Sequence, residues 1–282
     1  MKTFYKNIAI LFIVFSVIGI ALSLQSCSKE VETKEVLGVL TPTKLDQTAG
    51  TWTPIILTDY STQVPVAAPA ATTSDAYLAE IAAIKDAQSK LTKSQRSIIE
   101  YWSAGGVLRW NQILRELVAR YNLPPAPKAD GSYPLPDAEN PFADPAFPFS
   151  NPPYAARAYS YVSVAQYDAL KAAWFYKFQY NRPSPYKVDS SVESLMPPSD
   201  LPAYPSEDAV LSGVTAEMLK VLFPAAVEEI TLRAGDQRYA ALWSGKATSS
   251  DISAGLALGK AVAAIITAPG TGRFRTDGMG AA

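Results

Sequence analysis

The amino-acid sequence predicts an all-α protein: a helical bundle over residues 74–282, preceded by an extended N-terminal arm. Apolar residues recur at helical spacing in successive stretches after residue 73. Residues that favour helix N-termini precede several of these stretches. The sequence shows no run of alternating polar and apolar residues that would indicate strands, and no internal repeat.

The segment of residues 36–73 differs from the predicted bundle in composition. It is rich in Pro, Thr and Val, and its apolar residues follow no helical period. Such a segment predicts an extended arm that packs over the body, with Trp52 and residues 55–57 as its apolar anchors. Residues 27–73 as a whole are therefore predicted to be a tether followed by this arm.

The predicted helices are marked by caps and apolar faces. The first begins after Ser74, and the second begins after Thr92, which can form a capping box with Gln95. The stretch of residues 154–178 is apolar on more than one side, which predicts a central buried helix. The others cover residues 110–121, 206–223 and 227–243 and a last stretch capped by Ser249 or Ser250, in which Gly255, Gly259 and Ala263 lie four residues apart.

The composition excludes several classes of function. There is no histidine, which excludes His-based triads, His-dependent metal sites and histidine pH switches. Cys27 is the only cysteine, so neither an internal disulfide nor a thiolate metal cluster can form. The 25 basic residues nearly balance the 26 acidic ones without a basic run, so nucleic acid is not an expected partner.

Residues 1–26 have the layout of a secretory signal peptide. Lys2 and Lys6 precede an apolar run over residues 8–24. The sequence Leu-Gln-Ser-Cys at residues 24–27 resembles the lipobox of bacterial lipoproteins, in which the cysteine is lipidated. The resemblance implies a lipid anchor on Cys27 and a location in the cell envelope of a Gram-negative bacterium, at the outer membrane. A single-pass membrane anchor is the alternative.

Two cations lie close together in the stretch of residues 174–186. The predicted helix brings Lys177 and Arg182 to one place, and Pro183 and Pro185 then stiffen the exit. Closely spaced cations on a rigid support suit an oxyanion such as phosphate. A phosphate-containing small molecule is therefore a candidate ligand, and a solvated helix end with two surface charges is the alternative.

Short motifs further along the chain resemble a known superfamily. Tyr-Pro-Ser at residues 204–206 opens a helix, and Leu-Trp-Ser-Gly at 242–245, the stretch 250–256 and Ala-Gly-Thr-Trp at 49–52 accompany it. In these motifs the chain resembles the helical superfamily of vanadium-dependent haloperoxidases and type 2 phosphatidic acid phosphatases. There, a lysine, two arginines, a serine and a glycine bind phosphate or vanadate. One histidine acts as acid–base, and a second, oriented by an aspartate, attacks phosphorus or binds vanadium.

The resemblance implies that only part of that site is retained. Lys177, Ser206, Gly245 and Asp251 match the lysine, the serine, the glycine and the orienting aspartate. Ser184 stands at the position of the first arginine, and Arg182, two residues earlier, could substitute for it. Lys177, Ser206 and Gly245 together with these two positions form a predicted anion-binding remnant.

The departures from the pattern fall on the reacting groups. Glu207 and Asp208 stand at the positions of a glycine and the acid–base histidine. Ala240 and Ala241 replace a Ser-Arg pair, and Ala247 replaces the nucleophilic histidine.

These departures predict a disabled phosphate or vanadate site. Ala247 has no atom that could attack phosphorus, and Glu207 and Asp208 place negative charge where an anion would lie. Vanadate is therefore not an expected cofactor, and the leading hypothesis is a non-catalytic protein with a binding or structural role. Lys177 is predicted to neutralise Asp208 or Asp251 in the remaining pocket.

A metal-dependent enzyme is the first alternative. Asp168, Glu207, Asp208 and Asp251 could converge into an oxygen-ligand site for Mg²⁺ or Ca²⁺, which requires no histidine. Such a metal could activate water for phosphate-ester hydrolysis, with Asp208 and Asp251 as the catalytic residues.

A surface-binding protein is the second alternative. Residues 124–153 hold ten of the 22 prolines, which predicts a long loop. Aromatic residues from Tyr133 to Tyr154 in this loop could bind a glycan or a peptide.

The stretch 273–278 resembles the start of a segment that continues in relatives. The sequence does not indicate the oligomeric state.

Overall fold

The computed structural model describes residues 37–41, 44–121, 130 and 152–268. Within these residues the chain forms α-helices and short 3-10 helices and no strand, which confirms the predicted all-α class. The α-helices are α1 (Tyr60–Gln63), α2 (Asp75–Ser89), α3 (Lys93–Trp102), α4 (Gly106–Arg120), α5 (Pro152–Tyr180), α6 (Pro185–Val188), α7 (Glu207–Leu222), α8 (Val227–Trp243) and α9 (Ser249–Thr267). The 3-10 helices are Ala49–Thr51 and Pro224–Ala226.

Helix α7 lies at the centre of the bundle. It packs against α4, α5, α8 and α9, and nearly all of its residues are buried. The sequence predicted this central position for the helix that corresponds to α5, and that prediction is wrong. Helix α5 is apolar on two sides because one side packs on α7 and α9 while another lies against the arm.

Helices α7 and α9 approach each other through glycines. Gly213 of α7 lies against Gly259 of α9, and a Cβ on Gly255 or Gly259 would overlap the carbonyl oxygens of Ser206 or Val210. This confirms the close approach predicted from the spacing of small residues. Helix α9 is long and apolar enough to cross a membrane by length and composition, and its glycine face packs against α7.

The helix caps agree with the sequence prediction at α2 and α3 and differ at α9. Ser74 caps α2, and Thr92 forms the predicted capping box at α3. At α9 the cap is Thr248, rather than one of the two serines that follow it. Thr248 accepts a hydrogen bond from the Asp251 N–H, and the Asp251 carboxylate accepts one from the Thr248 N–H, so a second capping box forms.

The arm is held against α5 by side chains of that helix. The Asp168 carboxylate accepts hydrogen bonds from the backbone N–H groups of residues 55–57, at 2.7 to 2.9 Å. Tyr167, Tyr176 and Tyr180 donate their hydroxyl groups to backbone carbonyls of residues 53, 60, 64 and 66. The arm therefore packs over the body as predicted, although it also contains a 3-10 helix and α1. Of its predicted apolar anchors, Leu57 is buried and Ile56 partly buried, whereas Trp52 and Ile55 are 50% and 47% exposed, so the prediction is wrong for these two residues.

Several predictions fall outside the described residues. These concern the signal peptide and tether, the lipidation of Cys27, most of the predicted loop of residues 124–153 and the C-terminal stretch 273–278. They stay predictions. The loop prediction is wrong at its end, because residues 152 and 153 begin α5.

Candidate functional site

A cavity of about 330 Å³ is bordered by the N-terminal ends of α4 and α7, by α5 and by residues 194–203. Its volume lies at the lower end of the range for small-molecule sites, about 300–1,000 Å³. Its polar lining includes Lys177, Ser184, Ser206, Glu207, Asp208 and Lys246. Its apolar lining includes Leu40, Trp102, Leu170, Trp174, Met196, Leu201 and Leu211.

Lys177 reaches the cavity from α5 and is almost fully buried. Its ammonium donates hydrogen bonds to the backbone carbonyls of Pro202 and Ala203, at 2.5 and 3.3 Å. Burial lowers the pKa of Lys177 to about 8. The prediction that Lys177 neutralises Asp208 or Asp251 is wrong, because its hydrogen bonds go to these two carbonyl groups.

Lys246 instead neutralises the two acids at the start of α7. Its Nζ lies 2.7 Å from Asp208 Oδ2 and 3.4 Å from Glu207 Oε1. Burial by itself would lower the pKa of Lys246, but the two carboxylates outweigh burial and raise it. We call these three residues (Glu207, Asp208 and Lys246) the acid–lysine cluster.

Neutral donors complete the hydrogen bonding of both carboxylates. Gln237 Nε2 donates to Asp208 Oδ1 at 3.3 Å, and Gln237 Oε1 accepts from the Trp110 indole at 2.6 Å. The Trp174 indole donates to Glu207 Oε2 at 3.3 Å. Each carboxylate therefore has partners on both oxygens, which fixes the orientation of both side chains.

Two serines present hydroxyl groups at the cavity. Ser206 caps α7, where its oxygen accepts a hydrogen bond from the Ala209 N–H at 3.4 Å. Ser184 is only 3% exposed, and its hydroxyl has no hydrogen-bond partner in the part of the chain that the structure describes. Both residues line the cavity, so each can donate a hydrogen bond to a ligand.

Arg182 and Asp251 form a second charged group next to the cavity but off its lining. Arg182 Nε donates to Asp251 Oδ1 at 3.0 Å, and Nη2 makes a second bond to the same oxygen. The two side chains are 3% and 0% exposed. Thr248 donates its N–H and Oγ1 to Asp251 Oδ2, at 2.6 and 2.9 Å. We call Arg182 and Asp251 the buried pair.

Aromatic rings flank the guanidinium of the buried pair. The Tyr77 and Tyr204 ring centroids lie 5.2 and 4.8 Å from Arg182 Cζ. Cation–π contacts of this kind stabilise a desolvated guanidinium. The Tyr204–Pro205 peptide bond, just before α7, is cis.

The predicted site residues therefore divide between several places. Lys177, Ser184, Ser206, Glu207 and Asp208 meet at the cavity. The others that were predicted to join them lie off its lining: Arg182 and Asp251 in the buried pair, Gly245 in a turn with φ 73° after α8, and Asp168 at the arm.

The predicted convergence of four carboxylates on a metal ion is wrong. Asp168 binds the arm, Asp251 belongs to the buried pair, and Glu207 and Asp208 belong to the acid–lysine cluster. Among the described residues no group of three or more His, Cys, Asp or Glu side chains could hold a metal ion. The carboxylates are divided among three places, because the arm binds Asp168, Arg182 binds Asp251, and Lys246 binds Glu207 and Asp208.

Two contributors were not identified from the sequence. Lys246 stands directly between Gly245 and Ala247, next to the position of the replaced histidine. Because Glu207 and Asp208 add two negative charges at the start of α7, a lysine at this position was a usable signal that the two acids have a cationic partner. Glu80 of α2 accepts hydrogen bonds from the serine hydroxyls and a backbone N–H at the start of α9, at 2.7 to 2.8 Å. No local pattern indicates that contact.

The fold is similar to that of a solved haloperoxidase. The crystal structure of the first bacterial vanadium-dependent iodoperoxidase matches this chain with a TM-score of 0.57 and 17% sequence identity. The match covers 78% of this chain and 56% of the iodoperoxidase chain, so this chain spans little more than half the length of that protein. No family model and no curated protein matches the sequence. At this identity the similarity shows a haloperoxidase-type helical fold.

Proposed function

We propose that this chain is a non-catalytic protein of the haloperoxidase-type fold that binds a small molecule in the cavity. The acid–lysine cluster is the observation that carries the proposal. Where the resembling superfamily binds phosphate or vanadate, Glu207 and Asp208 present two carboxylates, and Lys246 is engaged in neutralising them. A multiply charged oxyanion would be repelled there, because like charges in a desolvated site are unfavourable.

The groups that would react are also missing from the cavity. Ala247, at the position of the nucleophilic histidine, lines it with a methyl group, which can neither attack phosphorus nor bind vanadium. Asp251, which would orient that histidine, is bound to Arg182 and Thr248. These residues support binding without turnover.

A variant that is expected to gain phosphate or vanadate binding tests whether the two acids disable the site. The double variant Glu207→Gln/Asp208→Asn removes two negative charges and leaves Lys246 and Lys177 at the cavity. We expect wild-type protein to show no saturable binding of phosphate or vanadate by calorimetry, and the double variant to bind with a Kd of about 1 mM or tighter. Asp86→Asn/Asp200→Asn, which removes two exposed acids paired with Lys90 and Lys187, is the charge-matched control and should not gain binding.

A turnover assay gives an independent test. We expect wild-type protein neither to hydrolyse p-nitrophenyl phosphate nor to oxidise halide with peroxide and vanadate. Either activity, if it is abolished by Asp208→Asn, would overturn the proposal. Saturable binding of vanadate to wild-type protein would contradict the charge argument directly.

The proposal places the protein in the cell envelope through a lipid on Cys27. Each buried acyl methylene contributes about 0.8 kcal/mol, so several acyl chains anchor a protein firmly. We expect radiolabelled palmitate to enter the wild type but not Cys27→Ala. An unlabelled wild type would remove the anchor from the proposal without affecting the assignment of the cavity.

A further inference from the structure

We propose that the ligand of the cavity is a small monocarboxylate with an apolar body. The inference rests on the proposed function, since it assigns a chemical class to the molecule that the cavity binds. It combines the charge of the lining, an excess of unused hydrogen-bond donors and the apolar wall.

The charge of the lining favours one negative charge on the ligand. Three lysines (Lys44, Lys177 and Lys246) and two carboxylates (Glu207 and Asp208) border the cavity, which gives a net charge of +1. A monoanion balances this charge. A phosphate dianion would bring a second negative charge next to the two carboxylates, which is unfavourable in a partly desolvated site.

The polar groups still available at the cavity are mainly donors. The Lys177 ammonium has three N–H groups, of which two point to backbone carbonyls. Ser184 is 3% exposed as a residue and lines the cavity, and its hydroxyl has no hydrogen-bond partner among the described residues. The Ser206 hydroxyl accepts one bond and can still donate. The two oxygens of a carboxylate would accept these hydrogen bonds. An ammonium ligand would need acceptors instead, and the carboxylates of Glu207 and Asp208 already bind Lys246.

The start of α4 adds a further donor region to the cavity. The cap residue of α4 is Gly105, whose φ of 101° favours glycine and which has no side chain to accept hydrogen bonds from the first turn. Residues 105–108 line the cavity, and α4 is 15 residues long. A helix N-terminus of this length carries about half a positive charge and stabilises a carboxylate placed near it.

The remaining wall is apolar and aromatic. Trp102 and Trp174 line the cavity together with leucines from α5 and α7, and the apolar lining exceeds the polar one. Burying the apolar tail of a ligand against this wall is favourable, because it removes apolar surface from water. The combination fits an amphipathic acid and disfavours a fully hydrated anion.

Calorimetry with four eight-carbon probes tests this inference. Octanoate, octanol, octylammonium and octyl phosphate differ in their polar end, and octanoate has the shortest apolar tail, because one of its eight carbons is in the carboxylate. We expect octanoate to bind at least about tenfold more tightly than each of the other three, because only its carboxylate satisfies the donors at matched charge. Ser184→Ala should weaken octanoate about tenfold and leave octanol unchanged, whereas Ser89→Ala, on α2 and outside the lining, should change neither.

Each other outcome overturns the inference. Tighter binding of octyl phosphate would assign a dianionic ligand, and equal binding of octanol would assign a purely apolar one. If none of the four probes binds, the assignment of a monocarboxylate ligand is wrong. Lys177→Met gives a second route if Ser184→Ala does not fold. Failure here is distinct from failure of the proposed function, which falls if the wild-type protein turns over phosphate esters or halide, whatever the probes show.

Discussion

The buried pair and the acid–lysine cluster both place charged side chains near the start of α7 and α9, but they differ in their exposure to solvent. Arg182 and Asp251 are almost completely inaccessible, with side chains 3% and 0% exposed. In the acid–lysine cluster, Lys246 keeps 33% of its side chain exposed and Glu207 keeps 21%. Both groups have hydrogen-bond partners on every carboxylate oxygen, but only the acid–lysine cluster lines the cavity.

This difference indicates separate roles for the two groups. A buried ion pair is costly to break because the residue left behind is an uncompensated charge away from water. A pair that borders a cavity is screened by solvent and contributes less to stability, but it sets the charge that a ligand meets. We therefore assign the buried pair to the stability of the fold and the acid–lysine cluster to ligand selection.

Breaking the buried pair should have the largest effect on stability. Arg182→Met leaves the Asp251 carboxylate with its Thr248 hydrogen bonds and no cation. We expect the free energy of unfolding in urea to fall by about 3–5 kcal/mol. The double variant Arg182→Met/Asp251→Asn should recover part of that loss, because it removes the unpaired charge. A loss below about 1 kcal/mol in the single variant would contradict the assignment.

Lys177 should produce a pH dependence that neither charged group explains. Burial lowers its pKa to about 8 in the folded protein, whereas the unfolded chain has the ordinary value of 10.5. Between these values the unfolded chain holds a proton that the folded chain has lost, so stability rises with pH by at most about 1.4 kcal/mol per pH unit. Below the folded pKa both states are protonated, and this contribution disappears.

Urea unfolding from about pH 7.5 to about pH 9.5 measures this dependence, and Lys177→Met should flatten it. The window ends there because burial raises the pKa of Tyr77 to about 12, which lowers stability again at higher pH. The groups acting on Lys177 are Glu207, Lys246, Asp251 and Asp208, and burial outweighs them. A wild type whose stability does not change with pH over this range would contradict a buried, depressed Lys177.

Breaking the acid–lysine cluster should have the smallest effect on stability. Lys246→Met leaves Glu207 and Asp208 with the indole and amide donors of Trp174 and Gln237. We expect a loss of about 1 kcal/mol, because the lysine is partly exposed. Octanoate binding should weaken at the same time, since the cavity becomes more negative. A loss as large as that of Arg182→Met would remove the distinction between the two groups.

The sequence predicted the helices because local signals determine them. The capping box at Thr92 and the bounds of α8 could be read from nearby residues, and the resulting α3 and α8 agree with the structure. It also identified five residues of the cavity lining, since Lys177, Ser184, Ser206, Glu207 and Asp208 lie next to helix termini that face a common space. The cap of α9 was missed because three hydroxyl residues follow one another there, although Thr248 with Asp251 three residues later forms a local capping box.

The choice of partners could not be predicted in the same way. Lys177 and Lys246 are both cations within reach of the start of α7, and their roles depend on where residues 202 and 203 place their carbonyl groups. Likewise, the sequence alone makes Asp168 a candidate metal ligand, whereas in the structure its carboxylate binds backbone N–H groups of the arm. These contacts join segments more than a hundred residues apart or separated by a loop, and residue spacing carries no information about them.

The attachment of the arm has a consequence for which substitutions the protein tolerates. Asp168, Tyr167, Tyr176 and Tyr180 bind main-chain atoms of the arm, so these hydrogen bonds do not depend on which side chains the arm carries. Proline is the exception at residues 55–57, because it would remove an N–H that Asp168 binds. Exposed positions of the arm, such as Trp52 and Ile55, can therefore diverge while the arm keeps its path, whereas Gly50 and the buried Leu57 and Val64 are constrained by packing. The acid and the tyrosines of α5 are constrained by the main-chain atoms that they bind.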